Sequence, residues 1–291
     1  MSVVALTFLS CKKDKDAAGD DDSPKGPWSV ELTAECDNEF TQIFDTVRNI
    51  FRFSIAGTGA FSIDWGDGIV QQDIPLQLED PWINEKGVTV LYKEYSHAYD
   101  KEGDYRIKIT GKDGRLTFFS CNHWGNYWGG HWVYDGHYNF YTSLQLTNCS
   151  QLEELDCSSN QLTSLDVSKC TKLDTLDCSS NLLTSLDISK NTQLVELSCS
   201  DNQLTSLDIS KCTELETLRC EDNLVISLGI GKNNTKLKTL YYDNRVAPAV
   251  MNKIYNDLPL RPARDGFIQV NRASRGDYSI AEYKGWQVFW H

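Results

Sequence analysis

Histidine is scarce in this chain of 291 residues: there are five, at positions 97, 123, 131, 137 and 291. None stands with a serine or cysteine in a recognisable nucleophile motif. Nor is there a glycine-rich loop of the kind that cradles phosphate. These absences leave no catalytic residue and no cofactor to assign, and the chain reads as non-enzymatic. Basic charge is also short, with 28 Lys and Arg against 41 Asp and Glu. The formal charge of −13 argues against nucleic acid or an anionic membrane surface as a partner. Long apolar runs are missing as well. The one at the start, Ser2 to Cys11, is too short to span a bilayer.

What the chain does have is repetition. Leu155, Leu176, Leu197 and Leu218 recur at a step of 21, each followed two residues later by Cys157, Cys178, Cys199 or Cys220. Three residues past each cysteine stands Asn160, Asn181, Asn202 or Asn223. A Leu-Thr-Ser-Leu-Asp-(Val/Ile)-Ser-Lys segment recurs at 162–169, 183–190 and 204–211. A half copy, Ser143-Leu-Gln-Leu-Thr-Asn-Cys149, is expected to open the array, and the last copy is stretched by one residue before Leu240. A short fixed period marks a solenoid, in which each unit buries its apolar face against its neighbours. Leu155-Asp-Cys157 alternates as a short strand with one buried face should. At one strand per period the strands must stack in parallel. The asparagine follows the strand, where a side chain can satisfy backbone groups of a tight, partly buried turn. The pattern resembles the leucine-rich repeat, L-x-x-L-x-C-x-x-N-x-L, over roughly 100 residues. The resemblance implies a curved stack whose strands form its concave face.

Ten cysteines would suggest a disulfide scaffold. Seven of them, Cys149, Cys157, Cys170, Cys178, Cys199, Cys212 and Cys220, fall on repeat positions suited to a small apolar residue, and free cysteine packs as one. Cys36 and Cys121 are left as a conceivable bridge.

The N-terminal apolar run ends on Ser10-Cys11, followed by Lys12-Lys-Asp-Lys-Asp16 and Asp20-Asp-Asp-Ser23. It reads either as a disordered terminus or as a lipid attachment signal. It resembles the tail of a lipoprotein signal peptide, with Cys11 as the lipidated residue, and the acidic stretch resembles the surface-export signal of Bacteroides-type lipoproteins. The resemblance implies an envelope protein, lipid-anchored at the outer membrane and surface-exposed, touching membrane only through that anchor. Residues 1–27 then form the anchor and an acidic tether.

From 28 to 120 the pattern becomes short alternating segments, Trp28–Thr33, Phe51–Ile55, Phe61–Trp65 and Tyr105–Ile109, separated by Gly and Asp turns. This reads as an antiparallel β-sandwich. Asp64-Trp-Gly-Asp-Gly68 and His97-Ala-Tyr-Asp-Lys-Glu-Gly-Asp-Tyr105 together resemble the PKD (polycystic kidney disease) domain, an immunoglobulin-like sandwich. The resemblance implies that the tryptophan fills the core, the aspartate of the glycine turn holds a loop, and His97 is structural.

Residues 121–142 form an aromatic junction: eight of the 21 residues 121–141 are Trp, Tyr or Phe, and three are histidine. Three readings stay open. The segment caps the open end of the solenoid. Alternatively Trp124, Tyr127, Trp128, Trp132 and Tyr134 form a platform for a glycan or a partner's side chains. The third reading is a metal site from Cys121, His123, His131 and His137, whose spacing matches no known ligand pattern, so no metal is assigned.

The repeats span 143–243 and an α/β cap follows at 244–291. Apolar residues at helical spacing after Pro248 predict a helix over 248–257, then a strand at 266–270, a short helix at 279–284 and a strand at 286–290. The Ala281-Glu-Tyr-Lys-Gly-Trp-Gln-Val288 ending resembles caps of bacterial repeat lipoproteins. The fold class is mainly β with a small α/β part.

Repeat geometry nominates a binding face. The polar residues flanking the strand leucines should point outward on the concave side: Glu154, Asp156 and Ser158, then Thr175, Asp177 and Ser179, then Glu196, Ser198 and Ser200. Thr217, Arg219 and Glu221, then Thr239, Tyr241 and Asp243, continue it. This face is acidic, with Tyr241 and Tyr242 the only aromatics expected at its end. Such surfaces usually bind proteins, and an acidic one prefers a basic partner. Protein or peptide binding is the leading expectation, with glycan binding by the aromatic segment the alternative. Asp166, Asp187 and Asp208 recur once per coil and read as a solvated or turn-bonding row.

Overall fold

The computed structural model describes residues 27–36, 49–76, 82–83, 89–90, 93–99, 103–111, 115–122, 127–128, 131–132, 140–274 and 276–290. Alternating sequence builds the N-terminal half as strands: β1 (Ser29–Cys36), β2 (Asn49–Thr58), β3 (Ala60–Asp64), β4 (Val70–Pro75), the short β5 (Trp82–Ile83) and β6 (Thr89–Val90), then β7 (Lys93–Tyr99), β8 (Gly103–Gly111) and β9 (Arg115–Ser120). A two-residue pair, β10 (Tyr127–Trp128) and β11 (His131–Trp132), precedes β12 (Phe140–Thr147). One antiparallel sheet has the order β12-β1-β8-β3-β4, and β7, β2 and β9 form the layer facing it. Rings meet between the layers: Phe53 lies 5.7 Å from Trp65, Phe51 5.4 Å from Tyr141 and Phe61 5.3 Å from Tyr95.

The turn after β3 is fixed by its own side chains. Asp64 Oδ1 accepts from the Gly66 N–H at 2.9 Å, and Asp67 Oδ1 from the Ile69 N–H at 3.0 Å. Gly66 sits at φ 81°, where a Cβ would lie 2.6 Å from the Arg106 carbonyl oxygen, so only glycine fits. Trp65 is buried, and its carbonyl accepts from Tyr99 OH at 2.6 Å. His97 stacks on Trp65 at 4.9 Å and places Nε2 2.7 Å from Asp67 Oδ2. Partial burial opposes ionisation of Asp67, but the bonds from His97 and Ile69 hold its carboxyl below the usual range.

Strand β9 belongs to two structures at once. It pairs antiparallel with β2 and parallel with β13 (Glu154–Asp156), aligning Phe119 with Leu155. From there the sheet runs on in parallel through β14 (Thr175–Asp177) and β15 (Glu196–Ser198). The chain also forms β16 (Ser206–Asp208), β17 (Thr217–Arg219), β18 (Ser227–Gly229) and β19 (Thr239–Tyr242). Of these β17 and β19 continue the main sheet, while β16 and β18 pair with each other on the return side. The expected opening of the array at Ser143 therefore needs correcting. Its first strand is β9, and Ser143–Thr147 belongs to β12, which pairs antiparallel with β1 in the sandwich. Leu144, Cys149 and Leu152 are nevertheless buried in the repeat register, as the return segment of that first coil.

The asparagine of each coil clamps it to the coil before. Asn181 Oδ1 accepts the Leu162 N–H at 2.9 Å, while its Nδ2 donates to the carbonyls of Cys157 (2.9 Å), Cys178 (3.1 Å) and Ser179 (3.2 Å). Asn160, Asn202 and Asn223 repeat this set. The residue before each asparagine, Ser159, Ser180, Asp201 or Asp222, takes a left-handed φ of 52–57°. That costs roughly 1–2 kcal/mol for a non-glycine residue, and the amide bonds offset it. A second ladder lies on the return side. Asn191 Nδ2 donates to the Val167 and Cys170 carbonyls, and Asn234 Nδ2 to those of Ile209 and Cys212. The aspartate row bonds turns: Asp166, Asp187 and Asp208 accept the N–H of Ser168, Ser189 and Ser210 at 2.8–2.9 Å.

The repeat cysteines are buried free thiols, and Cys121 joins them, so it forms no bridge to Cys36. Burial pushes the Cys170 thiol up to about 12 and Cys212 to about 11. These groups pack as small hydrophobes.

In later coils five positions separate the strand cysteine from the next buried leucine, as from Cys157 to Leu162, whereas twenty separate Cys121 from Tyr141. Asn160 ties both ends of that longer stretch, bonding the Cys121 carbonyl and the Tyr141 N–H. The aromatic segment is thus an insertion into the first coil's turn.

The C-terminal residues extend the same sheet. Helix α1 (Pro248–Asp257) starts on a proline whose missing N–H costs nothing there. It leads to β20 (Gly266–Val270), helix α2 (Ser279–Tyr283) and β21 (Trp286–Trp290). Leu240, Ile268 and Val288 align across β19, β20 and β21. One buried cluster runs unbroken from Trp28 to Trp286.

Replacing Asn181 with alanine leaves a buried N–H and carbonyls without partners. The loss should be about 3 kcal/mol, read as a lower urea midpoint. Gln203→Ala, an exposed site, should move it by less than about 0.5 kcal/mol. Equal midpoints for the two variants would show that the clamp does not hold the coils.

Candidate functional site

Ten of the fifteen residues nominated from the repeat fall on one face of consecutive strands. Register puts Glu154, Thr175, Glu196, Thr217 and Thr239 in one row. Asp156, Asp177, Ser198, Arg219 and Tyr241 form the next. Each row is flanked by buried leucines, because successive strand residues point to opposite faces. Neighbouring members stand about 4.8 Å apart, the strand spacing. The row is more crowded than expected, since Asp177 and Ser198 are only 6% and 9% exposed.

The face also extends further than the repeat pattern reaches. Phe267 aligns with Thr239 and Gln269 with Tyr241, and beyond them come Gln287 and Phe289. Tyr241 lies 5.3 Å from Phe267, which stacks on Phe289 at 4.8 Å. Tyr242, expected at this end, instead points into the core, where its hydroxyl donates to the Val225 carbonyl. The C-terminal part of the face is therefore aromatic through Tyr241, Phe267 and Phe289. Sequence reasoning missed the two phenylalanines because β20 and β21 lack the 21-residue spacing. The alternation in Gly-Phe-Ile-Gln-Val and Trp-Gln-Val-Phe-Trp was the available signal.

Charge divides the face. Asp156 Oδ1 accepts from the Ser158 N–H (3.0 Å) and hydroxyl (2.7 Å), and its Oδ2 from Asn122 Nδ2 at 2.5 Å. Asp177 Oδ1 takes the same pair of bonds from Ser179. Burial, together with the Asp177 charge across the strand, pushes the Asp156 carboxyl up to about 7 despite those bonds. Burial likewise raises Asp177, against the pull of Ser179 and Arg219. Glu154 and Glu196 are raised by burial too, and Arg219 partly offsets the second. The Arg219 guanidinium lies 4.0 Å over the Tyr241 ring, a cation–π arrangement, at the border between the acidic and aromatic parts.

Of the proposed aromatic platform, Trp124 and Tyr134 lie outside the described residues. Tyr127, Trp128 and Trp132 are described only as the backbone of the β10–β11 pair. His123 and His137 of the weighed metal set also lie outside them, and Cys121 is buried. Among the described residues no group of three or more His, Cys, Asp or Glu is placed to hold a metal ion. No helix among them is long and apolar enough to cross a membrane.

The family described as Leucine Rich repeats (2 copies) matches residues 150–191. This stretch is a leucine-rich repeat region. No curated protein matches the chain. Among solved structures it is similar to the functional domain of InlJ from Listeria monocytogenes, described as including a cysteine ladder. The identity is 31% with a TM-score of 0.39, covering 48% of this chain and 30% of that one. It is also similar to an internalin, InlF, from Listeria monocytogenes, at 22% identity and a TM-score of 0.29, covering 33% of this chain and 29% of that one. The chain thus spans less than a third of the length of either. Leucine-rich repeat regions are typically protein-interaction scaffolds.

The raised carboxyls have a thermodynamic consequence. An acid whose folded pKa lies above its unfolded value near 3.9 binds more protons when folded, so stability is full below that value and falls as pH rises through the folded one. For Asp156 the window runs from about 4 to about 7. Urea unfolding from pH 4 to 8 should show stability falling across it, with Asp156 alone contributing a slope of up to about 1.4 kcal/mol per pH unit. Asp156→Asn keeps an acceptor for Ser158 and should flatten the curve. Parallel curves for variant and wild type would mean that Asp156 does not retain its proton.

Proposed function

We propose that the chain is a non-enzymatic interaction protein whose strand face binds a protein or peptide segment. The observation that carries the reading is the continuous two-row face across seven parallel strands, β13 to β21 in the main sheet. It is polar at one end and aromatic at the other, and lies over a repeat core that fixes its spacing. Extended faces of this kind in repeat proteins bind other proteins. In this reading the N-terminal layers are a PKD-like sandwich, supported by the Asp64–Gly68 turn and by the His97 contact to Asp67. The sandwich holds the array away from a tether at 1–27 that is lipid-anchored through Cys11 at the outer membrane, with the array displayed at the cell surface. The anchor rests on the Ser10-Cys11 motif and the acidic run after it, which lie outside the described residues.

Selection of phage-displayed peptides on the full chain tests the location of binding. Thr175→Arg with Thr217→Arg places two bulky cations on the strand face and should weaken the selected ligands by at least about 10-fold. Ser185→Arg with Ser206→Arg, both exposed on the return side, should leave them unchanged. Ligands indifferent to the first pair, or no ligands at all, would overturn the proposal.

A further inference from the structure

Among the described residues the acidic half of the strand face lacks a cation of its own. Glu154 and Asp156 lie on β13, Asp177 on β14 and Glu196 on β15, with Arg219 the single guanidinium in the two rows, on β17. Arg219 stands three strands from β13, roughly 14 Å away at the strand spacing. It lies over Tyr241 and is drawn to Asp177, Glu196 and Glu221 at once. Beyond it, one carboxylate oxygen of Glu221 and one of Asp243 are buried without a hydrogen-bond partner. Carboxylates that are desolvated and only partly compensated gain most from an incoming cation.

The other half offers a different contact. Phe289 is 45% exposed, although it stacks on Phe267 and aligns beside Gln269 at the end of the face. Leaving part of such a ring in water forgoes the free energy of apolar burial. A ligand that covers it recovers that energy, and rings of this kind anchor interfaces.

We infer that the face takes an extended basic peptide segment. A Lys or Arg side chain docks at Glu154 and Asp156, and an aromatic or branched apolar side chain of the same segment packs on Phe267 and Phe289. This inference rests on the strand face being the binding surface and adds the chemistry and spacing of the occupant. From β13 to β20 the sheet takes five strand steps, and to β21 six, or roughly 24 to 29 Å. An extended chain advances about 3.3 Å per residue. The cationic and apolar anchors are therefore about seven to nine residues apart.

Fluorescein-labelled synthetic peptides test this by anisotropy against the full chain. The probe carries Arg-Lys at one end and Trp-Leu at the other, separated by about seven Ser and Gln residues, from the span above. Comparison probes have a separation of about two residues, or Glu-Glu in place of Arg-Lys. The long basic probe should bind at least about 10-fold more tightly than either, with affinity falling as salt rises. Phe289→Ala and Glu154→Gln, both changes to partly accessible side chains, should each remove about 10-fold, and Ser185→Arg none. Absence of binding, equal binding of the acidic probe, or indifference to spacing or to Phe289 would overturn the inference. The phage selection separates the two failures. Ligands that need the strand face but lack the basic–apolar pair sink only this chemistry, whereas ligands that ignore the face sink the underlying reading as well.

Discussion

One side-chain carboxamide per coil holds the repeat array in register. A chain that leaves a strand and turns within three residues exposes carbonyls and an N–H that no regular ladder can meet. The asparagine supplies the acceptor and both donors from a single rigid group. Because it bonds the coil before as well as its own, stacking and turning are satisfied together. Everything outward of it follows: the left-handed residue at Ser180, the direct pairing of Leu155 with Leu176, and the two rows of side chains that form the strand face. Aspartate in that position would offer acceptors only, and glutamine would displace the amide by a methylene, so the residue type is dictated by the geometry.

The same physics explains the two ends. A parallel sheet buried on one side needs its terminal edges covered or continued. At the N-terminal end the array's first strand, β9, is itself a sandwich strand, and its outer edge is already occupied by β2. At the C-terminal end β20 and β21 prolong the sheet, with α1 and α2 linking them. The acidic character of the face arises where sequence places Glu and Asp beside the leucines of the early strands. Its aromatic character begins at Tyr241 on the last repeat strand and continues through Phe267 and Phe289 on β20 and β21.

Much of this was legible in the sequence, for reasons tied to particular residues. The strands at 155, 176, 197 and 218 were readable because leucine, cysteine and asparagine recur at fixed offsets, and the offsets encode the clamp. The helix after Pro248 and the strands at 266–270 and 286–290 were readable from local periodicity and from Gly285, whose φ of 88° ends α2. The double membership of β9 was hidden, because Phe119-Ser-Cys121 carries the repeat signature but is cut from Tyr141 by the aromatic insertion. For the same reason Ser143–Cys149 looked like an opening unit, when it is the return half of a coil begun earlier. The aromatic end of the strand face was missed because register across strands is a tertiary fact: no spacing in the sequence says that Phe289 follows Tyr241 and Phe267 along one surface.

The sharing of β9 has a mechanical meaning. Two halves joined by a linker would pivot about it, and a ligand held by one would swing freely relative to the other. Here the join is a strand hydrogen-bonded on both edges, inside a sheet of ten. Tilting the array against the sandwich would require breaking backbone bonds along β2 or β13, so among the described residues the two parts meet through a sheet and not through a linker. A pull on any segment held by the strand face would therefore reach the N-terminal layers as a load carried by the sheet itself.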